Sequence, residues 1–295
     1  FLVASGRWDR GKGFYTTPEA DRVPLSARAA FDGWSAQIRG VAPVSDEIEL
    51  QVRGLAYRDE RTLRFEGADS SIEGQDASLR LVGRGEWEFD ALAYLQARNF
   101  TNVVVSSTRF VPVLDQRNTP ATGLGGKLEL RPPVGDAHVL RVGMDFRRAE
   151  GELFETAISA FSGNITARRN AGGTNTDLGL FVEDDWSLGR LVLTLGARLD
   201  RWTIRDGFYT ERDASGELLS TDSFADRAGW DASFRGGVLY RANDVVALRA
   251  AAYSGLRLPT LNELYRPFVV FPVVTQANAA LENERLEGFE AGIEL

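Results

Sequence analysis

Residues Leu178–Asp200 read "LGLFVEDDWSLGRLVLTLGARLD", and the fold turns on how this stretch is parsed. From Leu191 every second residue is apolar: Leu191, Leu193, Leu195, Ala197 and Leu199. Between them stand Val192, Thr194, Gly196, Arg198 and Asp200. The preceding run alternates in the same way through Leu178, Leu180, Val182 and Trp186, with Asp184 as its one charge. Successive side chains of a β-strand point to opposite faces, so a period of two over this length means strands with one apolar face. Ser187–Arg190 between the runs is a short polar turn.

The pattern recurs outward in both directions. Trp87, Phe89, Ala91, Ala93, Leu95 and Ala97 form one apolar series, and Leu124, Gly126, Leu128 and Leu130 another. Leu140, Val142, Met144 and Phe146 form a third, and Trp230, Ala232, Phe234, Gly236, Val238 and Tyr240 a fourth. None of these series carries a charge, whereas the opposite faces carry both signs plus glycine. A soluble β-sandwich would also alternate, so the alternation by itself leaves two architectures open.

Connection lengths separate them. Short polar turns occur at Pro43–Asp46, Gly83–Glu86, Pro132–Asp136, Ser187–Arg190 and Arg241–Asp244. Long connections run over Asp59–Gly74, Asn99–Pro120, Glu150–Thr174, Arg205–Asp226 and Arg257–Asn283, one after each short turn. A meander with short turns on one rim and long loops on the other is the layout of an outer-membrane barrel. A sandwich has no reason to segregate loop length, and loops this long are uncommon in compact domains. The runs, roughly 10–14 residues long, exceed the globular norm of about 5–6. Tilted strands of that length rise roughly 25–33 Å, the thickness of a hydrocarbon layer. Trp87 opens a strand, and Trp186 and Tyr240 close strands, where an interfacial aromatic belt belongs. The expected fold is all-β: a transmembrane antiparallel β-barrel segment of about twelve strands, at 1–8, 26–41, 47–58, 75–83, 87–98, 121–131, 137–149, 175–186, 191–204, 227–240, 245–256 and 284–295.

Composition bounds the function. The 295 residues are 43% hydrophobic and 26% charged, so the chain is not a disordered one. With no cysteine, one histidine and one methionine, neither a disulfide framework nor a thiolate, zinc, copper or haem ligand set is expected, and no cofactor or metal is assigned. A net charge of −8 argues against a nucleic-acid partner. No apolar run reaches transmembrane-helix length. The mean hydropathy of −0.21 is compatible with membrane residence, because a spanning strand needs only one apolar face. Phe1-Leu2-Val3 reads as mid-strand, and the chain is expected to be a piece of a longer protein.

"GLRLPTLNELYRPF", Gly255–Phe268, follows a strand at the start of the last long connection. Pro259 cannot donate to a sheet ladder and should end the strand. Thr260-Leu261-Asn262-Glu263 has capping-box spacing, which predicts a short helix from Leu261 to about Tyr265. That helix either closes the rim or meets a ligand. Arg257 is the candidate to face the vestibule, where a guanidinium pairs with a carboxylate of a neighbouring loop or with an anionic substrate.

This segment resembles the loop of TonB-dependent outer-membrane receptors in which Arg-x-Pro-Thr-Leu-x-Glu-Leu-Tyr follows a late barrel strand. Arg257, Pro259, Thr260, Leu261, Glu263, Leu264 and Tyr265 carry the match. Further on, "NAALENERLEGFEAG" keeps Asn278, Leu281, Glu284, Glu290 and Gly292 of a second family motif, with Ala279 and Asn283 where the family has proline. The two motifs cover about forty residues. The resemblance implies an active transporter: a barrel of about 22 strands around a plug, taking up a scarce small-molecule substrate with energy relayed through TonB. Residues 1–295 would then be a partial barrel domain in outer-membrane lipid, with the plug and about ten strands outside this chain. Ferric chelates, cobalamin and glycans all suit the loops "STRFVPVLDQRNTP" and "FETAISAFSGNITARRNAGGTNT". Haem receptors of the family place a histidine between the two motifs; none lies between Arg257 and Asn278, so haem is not expected.

Two other classes compete. A passive porin would share the alternation and the polar lumen. A barrel enzyme would need a nucleophile beside a base. The sole histidine, His138, is in phase with the apolar Leu140 and reads as an interfacial residue; no Gly-x-Ser-x-Gly elbow is present. The acid-rich Glu211–Ser223 lacks calcium-loop spacing and reads as solvated loop. The chain is accordingly expected not to be an enzyme.

Overall fold

The computed structural model describes residues 1–270 and 273–295, with side chains described outside 269–274. β1 (Leu2–Gly11) leads to β2 (Phe31–Pro43), β3 (Ile48–Thr62), β4 (Asp69–Arg84) and β5 (Glu88–Val105). β6 (Pro112–Asn118) and β7 (Pro120–Arg131) follow, separated by Thr119 alone. The longest strands come next: β8 (His138–Ile158), β9 (Ile165–Leu188) and β10 (Leu191–Arg212). Then come β11 (Leu218–Ser223), β12 (Arg227–Arg241), β13 (Ala247–Arg257), helix α1 (Leu261–Tyr265), the small β14 (Phe268–Val270) and β15 (Val273–Thr275), and β16 (Glu284–Glu294).

All strands but β14 and β15 form one antiparallel sheet whose order follows the chain, with β6, β7 and β11 as the exceptions. β6 and β7 both lie between β5 and β8 and fill one position, and β11 pairs with β10 beyond the end of β12. The wall therefore has the twelve positions the alternation predicts. Registers bring the apolar series face to face: Leu193 opposes Trp186, Leu199 opposes Leu180, and Met144 opposes Leu180 from the other side. A one-residue slip would exchange the two faces, so this pattern specifies the register strongly.

Four of the five long connections are corrected. Most of Glu150–Thr174 is the upper part of β8 and β9, leaving only 159–164 off the ladder. The same holds for Asp59–Gly74, Asn99–Pro120 and Arg205–Asp226, where the strands run on into tall hairpins. The physical reason is that alternation reports an asymmetry between two environments. Above the apolar layer no lipid meets either face, the strands face water or one another, and the period-two signal fades, while backbone hydrogen bonding continues unchanged. The second strand starts at Phe31 rather than residue 26; Ser26 and Arg28 make single bridges to Phe65 and Tyr15 instead. Arg257–Asn283 remains a true connection, and residues 271–272 within it lie outside the described residues.

Buried hydrophobic residues are confined to one end. Phe65, Ala68, Leu114, Leu153, Ala167, Ala171, Ile204, Tyr209, Leu264 and Tyr265 all belong to the tall hairpins or the last connection. Along the apolar runs the large side chains stand exposed, Leu195 at 65% and Phe234 at 62%.

Candidate functional site: a fastened rim loop

Strand β13 ends at Arg257, and Leu258-Pro259 lead into α1. Thr260 is the N-cap: its Oγ1 accepts from the Glu263 amide (3.3 Å), and the Glu263 carboxylate accepts from the Thr260 amide (2.7 Å). The predicted helix and its capping box are thus both present, with the predicted bounds. One turn of helix is unstable alone. Tertiary contacts hold this one, beginning with the guanidinium of Arg257.

Arg257 donates through Nη1 and Nη2 to the two oxygens of Glu263, both at 3.0 Å. Its Nε donates to Glu284 Oε2 (2.7 Å), and Nη2 also reaches Glu284 Oε1. One planar fork therefore joins the end of β13, the helix and the start of β16, which are the two halves of the sequence motif. The Arg257 hydrogen bonds, with those from the Thr260 amide and hydroxyl, pull the Glu263 carboxyl down to about 2. Asn278 closes the junction from the far side: its amide donates to the Glu263 carbonyl (3.1 Å), and its Oδ1 accepts from the Ala280 amide (3.0 Å).

The inner side of α1 is apolar. Leu264 and Tyr265 are fully buried with Ala171, Ile204 and Tyr209, and Leu261, Leu281, Ala279, Trp202 and Phe224 pack around them. The Tyr265 ring stacks on Phe224 at 4.8 Å. Its seat is a β-bulge in β10 between Arg205 and Phe208, where Asp206 takes φ 55° and Gly207 follows. A Cβ on Gly207 would lie 2.3 Å from the tyrosine ring, so glycine is what lets the ring reach the wall. Asn175 on β9 donates to the Pro259 carbonyl (3.1 Å), and Arg227 on β12 donates to the carbonyls of Ala279 (2.6 Å) and Leu281 (2.7 Å). Ten of the twelve motif residues, Arg257, Pro259, Thr260, Leu261, Glu263, Leu264, Tyr265, Asn278, Leu281 and Glu284, meet in this one junction; Glu290 and Gly292 lie further along β16, opposite Ala251 and Arg249.

Beside it lies a polar network that sequence reasoning missed. Glu155 on β8 is 1% exposed and accepts from Arg266 (2.8 and 3.1 Å) and from Arg169 on β9 (3.4 Å). Arg169 also donates to Glu211 (3.1 Å), which accepts from the Tyr209 hydroxyl. Two arginines and two glutamates balance here, as burial of charge demands. These residues sit above the alternating region, where no periodicity marks them. The available signal was Arg266, directly after the motif tyrosine, together with the paired Gly172-Gly173 on β9.

Down the wall, the polar face carries a ladder of ion pairs. Arg80 binds Asp90 (2.7 and 2.8 Å), Arg131 binds Glu129 (2.8 Å), Arg141 binds Glu183 and Asp185 (2.9 and 2.8 Å), and Arg198 joins Asp145 and Asp200. The one charge in the apolar series, Asp184, meets His138 Nδ1 at 2.7 Å, and the His138 ring stacks on Trp186. His138 thus stands with the tryptophan at the short-turn end of the apolar face. In the acid-rich segment Asp213 caps its own turn, accepting from the Ser215 amide and hydroxyl and the Glu217 amide (2.7–2.9 Å). Among the described residues no cluster of three or more His, Asp or Glu side chains converges as a metal site.

The profile of the family described as "TonB dependent receptor-like, beta-barrel" matches residues 3–295. No curated protein matches. Among solved structures, the chain is similar to the copper transporter OprC (TM-score 0.73, 16% identity, 99% of this chain and 46% of that one). It is also similar to the ferric yersiniabactin uptake receptor FyuA from Yersinia pestis (0.69, 12%, 99% and 47%) and the ferric-catecholate import receptor Fiu from E. coli K12 (0.70, 12%, 99% and 51%). The chain spans about half the length of these proteins. At such identity the structures speak for the fold; the match along nearly the whole sequence, with one apolar face, one charged face and alternating turn lengths, places the chain in the TonB-dependent receptor β-barrel family.

Proposed function

We propose that this chain forms part of the barrel wall of an outer-membrane receptor that imports a scarce substrate, with energy relayed through TonB. The family consists of outer-membrane transport proteins rather than enzymes. A ferric chelate is the favoured cargo, ahead of cobalamin or a glycan, because FyuA and Fiu are both receptors for ferric chelates. Residues 1–295 contribute wall and rim loops; a plug, the remaining strands and the TonB contact belong to the rest of the protein.

The observation that carries this reading is the junction around Arg257. A passive porin needs only a polar lumen. Here a 26-residue connection between β13 and β16, residues 258–283, is pinned to the wall by a shared arginine, a buried helix face and a buried ion network. Fixing a long loop at a rim builds a vestibule of defined shape. In this reading Arg257 is the fastener and not the substrate's anion receptor, since Nε and both terminal nitrogens are already committed.

The test is uptake of labelled ferric chelates by cells relying on the full-length receptor. Import that saturates and stops when TonB is deleted supports the reading. Import proportional to concentration and indifferent to TonB makes the protein a porin. Topology is checked separately: Asn262→Cys should react with an impermeant maleimide on intact cells, and Asp136→Cys only after the outer membrane is opened. Reversed labelling would place the fastened loop on the periplasmic side and remove the vestibule.

A further inference from the structure

The buried network around Glu155 takes one of its two cations from the last connection. Glu155, Arg169 and Glu211 are fixed in β8, β9 and β10, whereas Arg266 follows α1. The β8–β9 ladder runs from His138 to Ala157 without a slip, so Glu155 keeps the phase of Arg141 and Asp145. It therefore points to the lumen side of the wall. Leu261 of α1 lies over Gly151 and Gly173 on that same face, which places the helix and Arg266 on the vestibule side as well.

The seat that Arg266 fills is shaped for one planar cation. Glu155 Oε2 accepts from Arg266 Nε and Nη2 (3.1 and 2.8 Å). Gln116 on β6 stands opposite Glu155 in the register. With its amide in the orientation that satisfies both groups, its carbonyl oxygen accepts from Arg266 Nη1 and Nη2 (3.2 and 2.6 Å). Three nitrogens of one guanidinium thus meet two wall oxygens, a fork that a compact ammonium matches poorly. Side-chain exposure is 1% for Glu155 and 13% for Arg266.

Arg266 is held there by its side chain and not by a ladder. Its amide donates back to Asn262 in α1 (3.1 Å), and Pro267 has no amide hydrogen. β14 pairs with β15 and with no strand of the wall. The guanidinium can therefore leave without breaking a backbone hydrogen bond to the wall. Leaving unaided is unfavourable: Glu155 and Glu211 would face Arg169 alone, and a buried carboxylate would be in surplus. An incoming guanidinium removes that surplus and restores the same hydrogen bonds.

We propose that the Glu155–Gln116 seat is a binding site for the guanidinium group of a ligand entering the vestibule, such as an arginine side chain of a peptide. Arg266 occupies the seat as an internal substitute, and the ligand binds by displacing it. The Arg257 fork and the apolar face of α1 take no part in the exchange, so the helix keeps its place while the seat changes occupant.

Calorimetric titration of the full-length receptor with N-acetyl-arginine amide tests this. Wild type should bind the probe saturably. Arg266→Ala should bind it roughly 10- to 100-fold more tightly, because a tethered competitor acts at an effective concentration near the millimolar range. Arg266→Gln, a weaker occupant, should show an intermediate gain and keeps the comparison available if the alanine variant does not fold. The citrulline analogue, equal in shape and uncharged, should not bind, and the lysine analogue should bind more weakly than arginine. Adding Glu155→Gln to Arg266→Ala should abolish binding. The readout is binding to purified receptor, so it stands or falls separately from ferric-chelate uptake. Equal affinity for wild type and Arg266→Ala, no binding to wild type at probe concentrations about a hundredfold above the variant's midpoint, or binding that survives Glu155→Gln would overturn the assignment and leave Arg266–Glu155 a purely structural pair.

Discussion

The lower wall and the upper rim of this molecule are stabilised by opposite means. In the lower wall, from Leu191 to Leu199 and its neighbours, large apolar side chains point outward and stay exposed in the chain itself. Lipid is their solvent, and the charges turn toward the lumen in ion pairs such as Arg141–Glu183. In the upper rim the arrangement inverts: Leu264, Tyr265 and Ile204 are buried inward, and water is excluded by protein alone. The same backbone ladder runs through both regions, so the ladder is not what distinguishes them. The surroundings of each side chain are.

The comparison can be broken most severely at Tyr265. Tyr265→Ala should cost about 3–5 kcal/mol of local stability, as truncation of a buried aromatic does, and α1 should release from β9 and β10. Hydrogen exchange of the full-length receptor should then show fast exchange in residues 258–283 while the amides of β9 below Asp177 stay protected. Gly207→Ala should produce a similar release by driving a Cβ into the ring, and should add little on top of Tyr265→Ala. Loss of protection throughout β9 would mean that rim and wall are one unit.

Next in size is a charge on the lipid face. Leu195→Arg should cost about 2–4 kcal/mol if it lies near the bilayer midplane, whereas Thr194→Arg, one residue away beside Asp185 on the lumen face, should cost much less. Denaturant titration of the receptor folded in vesicles measures both, and equal costs would remove the assignment of faces. Smaller again is the helix cap: Thr260→Ala should cost about 1 kcal/mol, seen as faster exchange confined to α1.

The smallest effect belongs to the Arg257 fork, which is exposed. The Glu263 carboxyl is depressed from the ordinary 4.5 to about 2 in the folded state. Its contribution is therefore fully present above about 4.5 and fades as pH falls toward 2. Protease cleavage of the rim loop should rise over that window in the wild type. Arg257→Ala should be cleaved faster at neutral pH and change little on acidification. An unchanged wild-type profile would show that the apolar face of α1 holds the loop without help from the fork.

Alternation in the sequence determined the twelve wall positions, their phase and the choice of face, because a strand between lipid and lumen must segregate its side chains at every second residue. Spacing alone likewise determined α1, since a capping box is satisfied within four residues. The upper parts of β8, β9 and β10 were decided only in three dimensions. Their residues meet water on one side and other hairpins on the other, so they leave no period to read. The Glu155–Arg266 pair joins residues 111 apart in sequence. The bulge at Gly207 has meaning only once Tyr265 sits on it. Contacts between distant segments have no local signature, because each partner is chosen by what the folded chain brings beside it.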